Sequence, residues 1–196
     1  MISVIDYGAG NLRSVQNTLE SIGAAHRLVD SPTELRIAEK IILPGVGHFG
    51  QMMRALDELD LRSALLERIA QNVPFFGICL GLQALFESSE EAPEARGLGI
   101  LPGRIRRFAP DQRVPHMGWN QLRRVAPSRL LEGLPDQPFV YFANSFYAPA
   151  EFASAICTYG VDFAAIIERE NISAVQFHPE KSGPAGIRIV KNFVCS

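Results

Sequence analysis

Apolar positions along this chain fall into two kinds of run. Short, nearly continuous apolar runs occupy residues 2–6, 25–29, 40–43, 74–78 and 172–177, which predicts strands buried on both faces. Between them lie segments with helical spacing. In 11–22 the apolar positions are Leu12, Val15, Leu19 and Ile22, and Gly23 follows as a stop signal. The same spacing predicts helices over 49–59, 61–70, 80–86 and 185–194. Residues 87–96, acidic and small, read as a loop. Beyond it, 104–108, 119–125, 139–142, 154–159 and 164–169 read as strands separated by turns, including antiparallel pairs. Strands alternating with helices imply a parallel sheet covered on both sides. The expected fold is therefore one three-layer α/β domain over 1–196, with helices on both faces of a mixed sheet.

Composition narrows the picture by exclusion. Hydrophobic residues make up 47% and charged residues 20%, and 19 basic against 21 acidic side chains leave a net charge of −2. That balance gives no footing for a nucleic-acid or anionic-membrane partner. Arg104, Arg106 and Arg107, with Arg123 and Arg124, read as solvated strand faces. No apolar stretch approaches the ~20 residues of a membrane span. The N-terminus lacks the basic region and cleavage site of a signal peptide, so a cytoplasmic protein is expected. The three cysteines, Cys79, Cys157 and Cys195, are far apart and form no Cys-x-x-Cys pair. They are expected to be free thiols, with no metal site and no cofactor.

One of these cysteines has a special context. Gly77-Ile78-Cys79-Leu80-Gly81 joins the end of an apolar strand to the start of a helix, the nucleophile-elbow pattern with Cys in place of Ser. Glycines without Cβ allow the sharp turn, which should project Cys79 into solvent at a helix N-terminus and aim the N–H of Leu80 at a developing oxyanion. A free thiol titrates near ~8.5, so a nucleophilic cysteine needs a cationic neighbour beyond a helix terminus. Among four histidines, His178 stands in Phe177-His178-Pro179-Glu180. Pro179 favours extended geometry before it, and side chains at i and i+2 of an extended segment share a face. Glu180 can then orient the imidazole while the other ring nitrogen faces Cys79. His48 has no carboxylate so placed and ranks below His178. Leu43-Pro44-Gly45-Val46-Gly47 follows another apolar strand, and Val46 or Gly47 is the candidate second oxyanion donor. Asp6-Tyr7-Gly8-Ala9-Gly10-Asn11 lacks the third glycine of a dinucleotide fingerprint and reads as a glycine turn.

Taken together, these segments resemble the class I glutamine amidotransferases: residues 77–83 resemble that class's nucleophile motif, 177–180 its His/Glu motif and 43–47 its oxyanion strand. The resemblance implies a flavodoxin-like fold and hydrolysis of glutamine to glutamate and ammonia by Cys79, His178 and Glu180. It also implies glutamine contacts at Gln83 and the Val46–Gly47 loop. Residues 6–15, 114–120 and 179–182 are similar to the branch of the class that serves histidine biosynthesis. That branch implies a separate (β/α)8-barrel cyclase subunit, which receives the ammonia through an internal passage and makes imidazole glycerol phosphate and an aminoimidazole-carboxamide ribotide. Asn11, Met117, Trp119, Asn120 and Lys181 are then the candidate docking residues. Where the family reads Phe-Val-His-Ser-Tyr-Tyr, this chain has Phe142-Ala143-Asn144-Ser145-Phe146-Tyr147. Backbone contacts to glutamine at Ser145 and Phe146 survive that change; roles for the absent His and the absent Tyr hydroxyl do not carry over. The bare residue pattern also suits a different cysteine hydrolase, or a binding subunit that keeps the elbow as architecture.

Overall fold

A computed structural model describes residues 1–196. The first half alternates as expected: β1 (Ile2–Ile5), α1 (Leu12–Ser21), β2 (His26–Val29), α2 (Pro32–Arg36), β3 (Lys40–Gly45), α3 (Phe49–Glu58), α4 (Leu61–Ala70), β4 (Phe75–Cys79) and α5 (Leu80–Gln83). Next come β5 (Phe86–Ser89), β6 (Ala92–Arg96), β7 (Leu101–Arg107), β8 (His116–Gln121) and β9 (Arg123–Arg124). The chain ends with β10 (Phe139–Asn144), β11 (Phe146–Tyr147), β12 (Ala153–Tyr159), β13 (Val161–Arg169), β14 (Ile172–Val175) and α6 (Gly183–Cys195). The main sheet has the order β2-β1-β3-β4-β14-β13-β12-β9. Its first five strands are parallel and the last three antiparallel.

Period-2 alternation divides the apolar side chains into two cores, one on each sheet face. Ile5, Ile41, Leu43, Phe75 and Ala174 pack with α2, α3 and α4. Their neighbours Val4, Ile42, Phe76 and Val175 pack on the other face with Val15 and Leu19 of α1 and Ile189, Val190 and Phe193 of α6. β1, β4 and β14 are buried at every position, which is why these strands read as continuous apolar runs.

Two expectations need correction, and one short helix is not signalled by the sequence. The helix expected over 80–86 stops after one turn, at Gln83. Carbonyls at Ala84 and Leu85 are instead taken by the N–H groups of Leu98, Ile100 and Leu101. The segment expected to be a loop, 87–96, belongs largely to the paired strands β5 and β6. Its acidic side chains serve as acceptors for neighbouring backbone: Glu87 takes the N–H of Gly103, Glu90 that of Arg107 and Glu91 that of Phe49. Charge that suggested solvent is here hydrogen-bonding capacity. The short α2 carried too few apolar positions to register.

A separate antiparallel ribbon, β8 with β10, covers the second core. His116 fastens it. Its ring is stacked between Tyr159 and Phe142, with centroids at 4.1 and 4.8 Å. Burial without a charged partner pulls its pKa down to about 4.

Two predictions follow from this packing. A folded-state pKa below that of the unfolded chain means the unfolded state binds the proton first. His116 therefore contributes stability that is present above pH ~6.5 and is lost as pH falls toward 4, by about 3 kcal/mol in all. Denaturant melts of His116→Phe should lose that part of the acid sensitivity; a slope between pH 6.5 and 4 equal to the wild type's would contradict this. Secondly, a Cβ on Gly77 would lie 2.6 Å from the Gly81 carbonyl oxygen. Gly77→Ala should cost about 2–3 kcal/mol and lower Tm by roughly 4–12 °C, read by thermal melting.

Candidate functional site

Three neighbouring parallel strands, β3, β4 and β14, end at the same edge, where ligands bind in open α/β sheets. Gly45 of β3 lies opposite Cys79 of β4, and Val175 of β14 opposite Ile78. The chain then turns sharply. Cys79 has φ 53° and ψ −103°, a conformation that costs a non-glycine residue ~1–3 kcal/mol and persists only where its surroundings enforce it. Those surroundings are glycines in close approach. A Cβ on Gly81 would overlap the Leu43 carbonyl oxygen, and one on Gly45 would lie 2.6 Å from the Leu80 Cβ.

The sulfur is not projected into open solvent, as the bare elbow pattern suggests. Cys79 is only 7% exposed and lies at a cavity of about 310 Å3. Leu80 opens α5, so its N–H has no intrahelical acceptor. A helix of one turn adds little dipole, and this N–H acts as a local donor. Val46 and Gly47 line the same cavity, and Gly47 sits at φ 97°.

His178 also faces this cavity and is 3% exposed. Its Nδ1 is 2.9 Å from Oε1 of Glu180. The expected route between them was an extended segment; the structure uses a 3-10 turn, Pro179–Lys181, directly after His178. The turn folds back because Lys181 and Ser182 N–H groups bond to the carbonyls of His178 and Pro179. His178 is fixed from the ribbon as well. His178 N–H donates to the Tyr141 carbonyl at 2.9 Å, Tyr141 N–H donates to Ser182 Oγ at 2.9 Å, and that hydroxyl donates to the His178 carbonyl at 2.7 Å. Burial alone would push the imidazole pKa down. The charge of the Cys79 sulfur and a hydrogen bond to it, together with Glu180, outweigh that and raise it well above the ordinary histidine range.

The remaining wall comes from Gln83, Glu91, Ala143, Asn144, Ser145, Phe146 and Lys181. Gln83 commits its amide nitrogen to the Phe146 carbonyl and to Gln176, leaving its oxygen for a ligand. Asn144 donates to the same Phe146 carbonyl at 3.0 Å. Phe146 packs its ring against the first core. Glu91 also lines the cavity, a place that the acidic, loop-like pattern of 87–96 does not signal.

Of the other candidates, only Lys181 reaches the cavity. His48 caps α3, accepting from the Gly50 N–H. Asp6 accepts from the Gly8 N–H, as a glycine turn requires. Cys157 is buried and burial pushes its thiol up to about 12. Met117 and Trp119 stand on the ribbon's outer face, 65% and 56% exposed. Asn120 does not join them: strand alternation turns it inward, toward His116 Nε2 and the Thr158 carbonyl. Asn11 precedes α1 and accepts from Ser14 Oγ, away from the cavity lining. Lys181 is exposed at the cavity rim.

Fold and site together define an α/β protein with a strained cysteine beside a histidine–carboxylate pair. The sequence pattern of the family described as glutamine amidotransferase class-I matches residues 3–196, and the chain belongs to that family. Among curated proteins it is 50% identical over 196 residues to imidazole glycerol phosphate synthase subunit HisH of Methanothermobacter thermautotrophicus, covering 99% of this chain and 98% of that one. The protein of the same name from Desulfitobacterium hafniense strain Y51 is 47% identical, over 98% of this chain and 93% of its own length. Among solved structures, a glutamine amidotransferase superposes with TM-score 0.77 at 21% identity, covering 98% and 96% of the two chains. The glutaminase domain of Trypanosoma brucei CTPS, with bound acivicin, gives 0.70 at 15%, covering 100% and 94%. At these identities the structural likeness speaks for the fold.

The raised His178 pKa depends first on the neighbouring sulfur. In ring-nitrogen NMR titrations the wild-type imidazole should stay protonated above pH 7, and in Cys79→Ala it should titrate at markedly lower pH. An unchanged titration would separate the two groups.

Proposed function

We propose that this chain hydrolyses glutamine and supplies the ammonia to a partner, as the glutaminase subunit of an imidazole glycerol phosphate synthase in histidine biosynthesis. The observation that carries the reading is the joint placement of Cys79, the His178–Glu180 pair and two stretches of backbone, at Leu80 and Val46–Gly47, around one cavity. A volume near 310 Å3 suits a small metabolite, at the lower end of ligand pockets. Its lining carries one carboxylate, Glu91, and one ammonium, Lys181. These are the complements of an α-amino acid's two charges. One oxygen of Glu91 is spent on the Phe49 N–H, at 2.7 Å, which fixes the carboxylate in place.

The chemistry follows from these positions. His178 holds the proton given up by the thiol, as its raised proton affinity implies, and the Cys79 sulfur attacks the side-chain amide carbon. Charge moves to the amide oxygen, where the N–H of Leu80 and one from the Val46–Gly47 loop receive it. The intermediate collapses with C–N cleavage, and the proton held on His178 goes to the departing ammonia. Water then cleaves the thioester, releasing glutamate and restoring the thiol. The buried Glu180 keeps the imidazole oriented throughout.

The ribbon supports the partner reading. Met117, Trp119 and Phe139 expose 65%, 56% and 54% of their surface on it, and Trp119 leans on Tyr141, centroids 6.0 Å apart. This apolar face runs into the cavity wall at Ala143, so a protein docked there would also cover the mouth. We take the occupant to be a (β/α)8-barrel cyclase in the cytoplasm. No helix of this chain is long and apolar enough to cross a membrane.

The test is a glutaminase assay with and without the barrel subunit and its nucleotide substrate. Turnover should rise on adding the partner, and Cys79→Ala should lower it about 1,000-fold or more. Persistent turnover in Cys79→Ala would show that another group is the nucleophile; peptide cleavage without glutamine turnover would reassign the substrate.

A further inference from the structure

Gln176, one residue beyond β14, has no part in the reaction as described, yet it touches the nucleophile. It is fully buried. Its Nε2 donates to the Cys79 sulfur at 3.6 Å, and its Oε1 accepts from Gln83 Nε2 at 3.1 Å. Its backbone N–H is anchored to the Ala165 carbonyl at 2.9 Å.

The direction of this chain of bonds is set at its far end. Gln83 Nε2 also donates to the Phe146 carbonyl, at 3.0 Å. A backbone carbonyl only accepts, so it requires the nitrogen end of the Gln83 amide. The Gln176 atom facing that nitrogen must then be oxygen, because reversing the amide would oppose two NH2 groups in a buried site. The other end of Gln176 is left as a donor, and what it faces is sulfur. A donor there favours negative charge on the sulfur both when it attacks and when it leaves the thioester.

We propose that Gln176 is a further catalytic residue: it donates a hydrogen bond to the Cys79 sulfur, with its donor end fixed by Gln83 and the Phe146 carbonyl. The wall of the cavity is thereby wired to the nucleophile through two side-chain amides. This rests on the proposed glutaminase activity only for its kinetic consequence. The bond to sulfur is independent of any substrate.

The experiment measures carbamidomethylation of Cys79 by iodoacetamide in the full-length protein, read by mass spectrometry of its peptide, in wild type, Gln176→Met, Gln176→Glu and Gln83→Met. At pH 7 both Gln176 variants should react roughly 10- to 100-fold more slowly, with the deficit narrowing at pH 9.5. Gln83→Met, which does not touch the sulfur, should show a smaller deficit of the same kind. With the partner present, kcat for glutamine should fall in Gln176→Met while KM stays within about twofold. A wild-type rate at pH 7 in folded Gln176→Met overturns the proposal. So does a deficit of equal size at both pH values, which marks lost access or packing. If the Gln176 variants do not fold, Gln83→Met carries the test, and a wild-type rate there overturns the orientation argument. Normal pH-dependent deficits in a chain that never turns over glutamine would support Gln176 and tell against the proposed function.

Discussion

Everything at the candidate site depends on how closely the backbone of residues 77–81 can approach its neighbours. Gly45, Gly77 and Gly81 leave no room for a Cβ: the first two would meet atoms of Leu80 and Gly81 in the turn, and the third the Leu43 carbonyl of β3. Because those atoms are missing, the strand end and the first helical turn lie almost in contact, and Cys79 is forced into positive φ. The strain is not an ornament of catalysis. It is what a chain must accept to leave a buried central strand and present a side chain at its end, and the two packed cores on either side of the sheet hold it in place.

Given that turn, the electrostatics are local. A sulfur that is 7% exposed and an imidazole that is 3% exposed have little water to screen them, so burial, which lowers the imidazole's proton affinity, is outweighed by the neighbouring sulfur and Glu180. Glu180 is equally buried and spends one oxygen on the imidazole. The amide pair Gln83–Gln176 supplies neutral donors where a further charge would need its own partner.

The β8–β10 ribbon links this chemistry to the outside. Its inner face is an aromatic stack around His116, and its outer face is apolar and open. Its edge bonds to His178 through the Tyr141 carbonyl and Ser182. A protein that docks on Trp119 and Met117 would press on the strand that holds His178, which gives the proposed partner a short mechanical route to the site.

Much of this was readable in the chain itself. Parallel strands buried on both faces leave nearly unbroken apolar runs, amphipathic helices leave a 3.6-residue period, and a nucleophile turn leaves paired glycines around Cys79. All of these are local, so residue order carries them. Tertiary contacts decided the rest. Helix α5 ends after one turn because carbonyls beyond it find donors in 98–101, and the acidic stretch pairs as strands because its carboxylates find backbone N–H groups elsewhere. Glu91 entered the cavity and Gln176 reached the sulfur for the same reason: each is placed by a partner distant in sequence, Phe49 for the one and Gln83 and Cys79 for the other, and no local period or motif encodes that partner.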